Sequence, residues 1–284
     1  MNNKRCNELK IQATKIRKHV IDEVYHAASG HPGGSLSCAD ILTVLYFDEM
    51  RIDPQNTQWP DRDRFVLSKG HCAPGLYATL AERGYFPTED LVGFRSAESY
   101  LEGHPNMRAV PGVDMSTGSL GQGISAAVGM AIAGRIDKKD YRVFALLGDG
   151  ESEEGEVWEA AMAAAHYKLS NLTAFLDHNG LQIDGEIVNI MSPEPLDKKF
   201  EAFGWNVIKI NGHEYSQIEE AIAEAKKVTD RPSLILAETI KGKGVSFMEN
   251  QVGWHGSAPS EEQRNQAMAE LDATLHKLEV EKNG

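Results

Sequence analysis

Cysteine is scarce and unpatterned. Cys6, Cys38 and Cys72 are the only three in 284 residues, and no two of them form a CxxC pair. A disulfide framework is therefore not expected, and the odd, loose spacing fits a reducing compartment. Long apolar runs are missing too. No stretch approaches the roughly 18 charge-free apolar residues of a spanning helix, so no membrane segment is expected. The opening MNNKRCNELKIQATKIRKH has no apolar core of the secretory kind, and the cytoplasm is the expected location. Positive charge is also in deficit, with 29 Lys and Arg against 42 Asp and Glu for a net charge of -13. That balance argues against nucleic-acid binding, which favours basic surfaces. An anionic ligand would need a locally favourable pocket, and helix N-termini, histidines or a metal supply one.

A chain this long buries about three quarters of its unfolded surface without staples. The periodicity predicts helices over 8–28 and 39–50, separated by the glycine- and proline-rich break SGHPGGSLS at 29–37. RFVLS (64–68), YRVFALLGDG (141–150), NLTAFLD (171–177), WNVIKI (205–210) and SLILAET (233–239) read as strands. Helices are expected after SKGH, over 118–136, over 153–169 and over EEAIAEAKKV. Strands alternating with helices imply an α/β fold of three layers, α/β/α, with a mostly parallel central sheet. One domain is expected over 1–284, with a long functional loop at 84–116 and an irregular polar region after about 240.

The densest chemical signal is GDGESEEGEVWEAAMAAAHYKLSNLTAFLDHNG, residues 148–180. Asp149 and Asn179 each follow a strand, and parallel sheets place ligands beyond the carboxyl ends of their strands. A carboxylate and an amide oxygen suit Mg²⁺, a hard cation. Gly148 and Gly150 let the backbone approach a phosphate, and the helix behind them offers free N–H groups. Taken alone, GDG is as readily an ordinary turn.

The whole block resembles the thiamine-diphosphate fingerprint. That resemblance implies Mg²⁺, or another divalent cation such as Ca²⁺ or Mn²⁺, held by Asp149, Asn179 and the carbonyl of Leu181, with Gly150 beside the diphosphate and Glu154 at the interface between cofactor-binding domains. SGHPGG (29–34), SKGHCAPGLYATL (68–80), EGHP (102–105), GSLGQG (118–123) and WHG (254–256) narrow the resemblance to the N-terminal half of transketolase. The family then implies that His71 and His255 lie near the diphosphate, that His104 faces the reacting end of the cofactor, and that His31 meets the substrate. It gives His31, His104 and His255 catalytic roles in proton transfer and polarisation. Gly118 and Gly121 flank the turn that approaches the cofactor. Leu181 and Ile183, around the LQIDG turn with Asp184 and Gly185, help wall the site. His19, His26, His166 and His213 fall in no family motif and are expected to be surface or satisfied core residues; His178 matches weakly. GSL at 34–36 departs from the Ala-Pro-Met of many full-length transketolases, which bears on the substrate more than on the cofactor.

The resemblance also implies a pyrimidine-binding domain, whose glutamate activates the cofactor. No second αβ unit of that kind is in this sequence. A separate transketolase C-terminal subunit is therefore the expected partner, in an α2β2 assembly. The expected reaction is transfer of a two-carbon ketol unit from a ketose phosphate such as xylulose 5-phosphate to an aldose phosphate such as ribose 5-phosphate. Alternatives are an unusual-sugar transketolase, a subunit resembling 1-deoxyxylulose-5-phosphate synthase or a 2-oxo-acid dehydrogenase, and a non-catalytic regulatory protein on the same fold.

Overall fold

Two strands with no polar alternation sit at the centre of the molecule. In the computed structural model, which describes residues 1–283, the strands are β1 (Arg64–Leu67), β2 (Val143–Gly148), β3 (Leu172–His178), β4 (Leu181–Gln182), β5 (Gly185–Glu186), β6 (Asn206–Asn211) and β7 (Ser233–Glu238). Gly284, the end of the expected domain, lies outside the described residues. The main sheet runs β1-β2-β3-β7-β6 with every pair parallel, while β4 and β5 form a small antiparallel hairpin just beyond β3. β2 and β3 are buried along almost their whole length, as a sheet covered on both faces requires.

The helices are α1 (Asn3–His26), α2 (Pro32–Ser37), α3 (Ala39–Val44), α4 (Ala73–Arg83), α5 (Gln122–Ile136), α6 (Gly155–His166), α7 (Ile187–Ile190), α8 (Leu196–Ala202), α9 (Tyr215–Lys227) and α10 (Glu261–Asn283). Successive strand residues point to opposite faces, and the core divides accordingly. Phe144, Leu146, Phe175 and Ile235 face one layer with Leu42, Leu76, Leu80 and Ile222. Ala145, Leu147, Leu176 and Leu236 face the other with Ile124, Val157 and Phe200. The result is the three-layer α/β/α fold expected.

Two local expectations are corrected. The break at 29–37 is not all loop: Pro32 sits in the first turn of α2, where its missing N–H costs nothing. The region after 240 is irregular only as far as Ser260, because α10 then runs for 23 residues. Its apolar stripe is narrow. Ala267 and Leu271 are buried beside Ile16 and Val20 of α1, while Arg264 and Lys18 pair with Asp22 and Asp272. A helix that buries so little shows almost no helical periodicity in its sequence.

Candidate active site

Four adjacent strands end at one place. Beyond β1 stand Ser68, Lys69 and His71. Beyond β2 stand Asp149 and Gly150, Asp177 is the next-to-last residue of β3 with Asn179 just past its end, and beyond β7 stands Lys241. A cleft of about 500 Å³ opens there, lined among others by His31, His71, Asp149, Asn179, Lys241 and His255. This is the edge at which parallel α/β sheets bind ligands.

Asp149 is 2% exposed. Its two oxygens accept the N–H groups of Gly150 (2.8 Å) and Gly180 (2.6 Å). Burial, then the nearby charge of Asp177, pushes its carboxyl up to about 6. Asn179 Oδ1 accepts the N–H of Leu181 at 3.1 Å, which fixes the amide. Asp149, Gly150, Glu154, Asn179, Leu181, Ile183 and Asp184 line the same cleft, so the fingerprint residues are brought together. No cluster of three His, Cys, Asp or Glu side chains able to hold a metal occurs among the described residues. A cation here would instead draw on one carboxylate, one amide oxygen and one carbonyl, a set suited to Mg²⁺.

Four buried ionic side chains around this set were not singled out from the sequence. Lys69 donates to Asp177 and, at 2.9 Å, to the Gly34 carbonyl. Against the cost of burial, Lys69 holds Asp177 below the ordinary carboxylate range. Lys241 donates to the Leu181 carbonyl at 3.1 Å and to His255 Nδ1 at 2.8 Å, and burial lowers its ammonium to about 8. Glu151 accepts from Ser68 Oγ (2.6 Å), Gly121 N (2.9 Å) and Gly148 N (3.0 Å), tying β1, the α5 entry and β2 together. Lys69 lies inside SKGHC and Glu151 inside the GDG block, so the signal was their place directly after buried strands.

Gly121 is not among the cleft-lining residues, yet it shapes the rim. Its φ is +85°, and a Cβ there would lie 2.9 Å from Glu154 Cβ, so glycine lets α5 start directly against the exposed Glu154 at the head of α6.

The histidines form a group. Ring centroids of His31 and His71 are 5.1 Å apart, those of His31 and His255 5.4 Å, and those of His71 and His255 5.4 Å. Burial, followed by neighbouring cations and imidazoles, lowers His31 and His71 to about 4 and His255 to about 3. All three are therefore neutral at physiological pH. Because Lys241 donates to Nδ1 of His255, that ring carries its proton on Nε2 and presents a donor. His31 Nδ1 is buried with no hydrogen-bond partner among the described residues. His104 is exposed and is not among the cleft-lining residues, but its ring lies against Gly118, which is; partial burial, Arg95 and His71 lower it as well.

His213, expected to be a satisfied residue, is one. Nδ1 donates to Asp40 Oδ2 at 2.7 Å, and Nε2 accepts the N–H of Ile240 at 2.9 Å. Asp40 in turn takes the guanidinium of Arg17 at 3.0 and 2.6 Å. This buried strut braces the backbone next to Lys241. His178 faces Glu194 at 2.7 Å, and His19 faces Glu82 at 2.8 Å.

The family model for the transketolase thiamine diphosphate binding domain matches residues 9–282. The chain is 49% identical over 265 residues to the 6-deoxy-6-sulfo-D-fructose transketolase subunit SqwG of Clostridium sp. (strain MSTE9), covering 93% of this chain and 96% of that protein. It is 45% identical over 276 residues to an apulose-4-phosphate transketolase subunit from Phocaeicola vulgatus, covering 97% and 98%. The solved transketolase of Campylobacter jejuni superposes with a TM-score of 0.87 at 34% identity, covering 100% of this chain and 48% of that one. The chain thus spans about half of that single-chain enzyme and almost all of the two subunits. It belongs to the transketolase family, as the thiamine diphosphate binding domain.

Proposed function

We propose that this chain is the diphosphate-binding subunit of a two-chain transketolase that transfers a two-carbon ketol unit from a ketose other than the usual pentose phosphates. The observation that carries this reading is end-to-end similarity to two subunits named for sulfofructose and apulose 4-phosphate. Human transketolase, at 42% identity, is covered only over 42% of its length. This favours the unusual-sugar alternative over xylulose 5-phosphate and ribose 5-phosphate.

The residues present fit thiamine diphosphate and a divalent cation. Asp149, Asn179 and the Leu181 carbonyl would hold Mg²⁺. The raised carboxyl of Asp149 marks a buried oxygen site short of positive charge. Gly150, Gly118, Lys69, His71 and Lys241 line the side where the diphosphate would lie. When bound, the cofactor supplies the nucleophilic carbon that attacks the ketose carbonyl. Neutral His31 and His104 accept and return protons at the donor hydroxyl groups. His255, its proton on Nε2, donates a hydrogen bond to a donor oxygen. Exclusion of water needs a cover over the cleft, and the exposed Ile183, Val188, Ile190 and Met191 beside it support a partner docking there. That partner would be a transketolase C-terminal subunit carrying the pyrimidine domain and its activating glutamate, in an α2β2 assembly.

The test is to co-purify the chain with the product of a neighbouring gene encoding such a subunit. Ketol transfer to ribose 5-phosphate is then measured from 6-deoxy-6-sulfofructose, apulose 4-phosphate and xylulose 5-phosphate, with thiamine diphosphate and Mg²⁺. Turnover only in the mixture, highest with one of the first two donors, is expected. A clear preference for xylulose 5-phosphate would restore the pentose reading. A mixture that binds the cofactor and transfers nothing would sink ketol transfer.

A further inference from the structure

We propose that Arg95 is a positioning residue that fixes His31 and His104 relative to one another, its guanidinium joining the turn before the first to the turn before the second. The roles of the two histidines rest on the function proposed above; the placement of Arg95 does not. Arg95 Nη1 donates to Ser29 Oγ at 2.6 Å, two residues before His31. Its other side lies over Gly103, the residue before His104. A Cβ on Gly103 would meet Arg95 Nε at 2.8 Å, Cζ at 3.1 Å and Nη2 at 3.1 Å. One planar group thus sets the spacing between two segments more than 70 residues apart in sequence.

The surroundings hold Arg95 in place. Its backbone has φ +61°, a left-handed conformation uncommon for a residue with a side chain. Its N–H donates to the Leu101 carbonyl at 2.8 Å, closing the loop that leads to His104. The guanidinium stacks 5.4 Å from the Phe94 ring, which is buried against Tyr77. The hydroxyl of Tyr77 lies 3.0 Å from the Glu102 carbonyl and 2.9 Å from that of His104, anchoring the far end of the loop to α4. Arg95 Nε is buried without a partner among the described residues, so the side chain sits here for its geometry rather than for maximal hydrogen bonding.

The positive charge of Arg95 also faces both imidazoles. The groups acting on His31, after burial, are His71, Arg95, His104 and Lys241, with His255 packed beside it. Those acting on His104 are Arg95 and His71. Arg95 is not among the larger influences on His71 or His255, which makes those two rings internal controls.

The full chain carrying Arg95→Met is compared with wild type by following imidazole titrations in ¹H–¹⁵N NMR spectra, a readout independent of turnover. His31 and His104 are expected to titrate at higher pH in the variant, with His255 unmoved. Arg95→Lys, which keeps the charge and loses the fork, should leave both titrations near wild type. In the two-chain complex, Arg95→Met should lower kcat by about 10²-fold through misplacement of the histidines, with the donor KM changed little. Gly103→Ala should do the same by displacing an intact guanidinium. Unmoved His31 and His104 titrations, a shift shared equally by His255, or a rise in donor KM alone would each overturn the proposal. Inactivity of wild type and variants alike, with the NMR shifts as expected, would count against the functional reading and leave the positioning role standing.

Discussion

Lys69 and Asp177 form an ion pair from which water is almost absent, their side chains 2% and 0% exposed. Asp177 also accepts from Ser37 Oγ at 2.6 Å and from Thr239, so one carboxylate joins α2, β1, β3 and the β7 exit. Replacing one member of such a pair strands the other charge in a low-dielectric interior. Lys69→Met is expected to destabilise the chain by about 3–5 kcal/mol, read by urea denaturation. A loss below about 1 kcal/mol would mean that water reaches Asp177.

Asp149 carries the opposite sign of effect. Its folded pKa of about 6 lies above the ordinary 3.8. As pH rises between those values the unfolded chain releases its proton first, and stability falls. In metal-free protein, Asp149→Asn should be more stable than wild type at pH 7.5 by on the order of 3 kcal/mol, with the gain vanishing below about pH 4. An equal difference at both pH values would refute the burial of this charge.

The three clustered histidines work in the other direction. Their folded pKa values of about 4, 4 and 3 lie below the usual 6.5. Their contribution is full above pH 6.5 and disappears as pH falls through about 4. His255→Gln should therefore flatten the acid limb of a stability-against-pH curve measured from pH 7.5 to 4. An unchanged slope would show that His255 is already protonated in the native state.

Glu23 lies 1% exposed on α1, and neither carboxyl oxygen has a hydrogen-bond partner among the described residues. Burial, then Asp22, raises its pKa well above the carboxylate norm. It opposes folding more as pH rises, because only the unfolded chain can ionise it freely. Glu23→Met should raise Tm more at pH 8 than at pH 4, and a lower Tm at pH 8 would reveal a missed polar contact.

What could be read in the sequence followed from how each element is buried. β2 and β3 are apolar on both faces, and the glycines of GDG stop β2 sharply, so Asp149 and Asn179 could be placed at one sheet edge from spacing alone. The histidines were legible because each falls inside a motif that resembles one of the transketolase family's. Lys69 and Asp177 were not: they are 108 residues apart in the chain, and a lysine in a loop ordinarily reads as solvated. Arg95 hid for the same reason, inside a long loop whose shape depends on Tyr77 and Phe94. α10 was invisible because it buries only a narrow stripe, Ala267 and Leu271, against α1 and the Val245–Met248 segment.

The cleft is assembled from the ends of four neighbouring strands, contributed by segments from Ser68 to Lys241. The histidines His31 and His255 extend that span at both ends, and the four strand ends meet only through the sheet. A ligand that bridges them binds only where β1, β2, β3 and β7 are all in register, so its binding free energy is added to the stability of the whole sheet. Occupancy then reports on completed folding of all four strands at once.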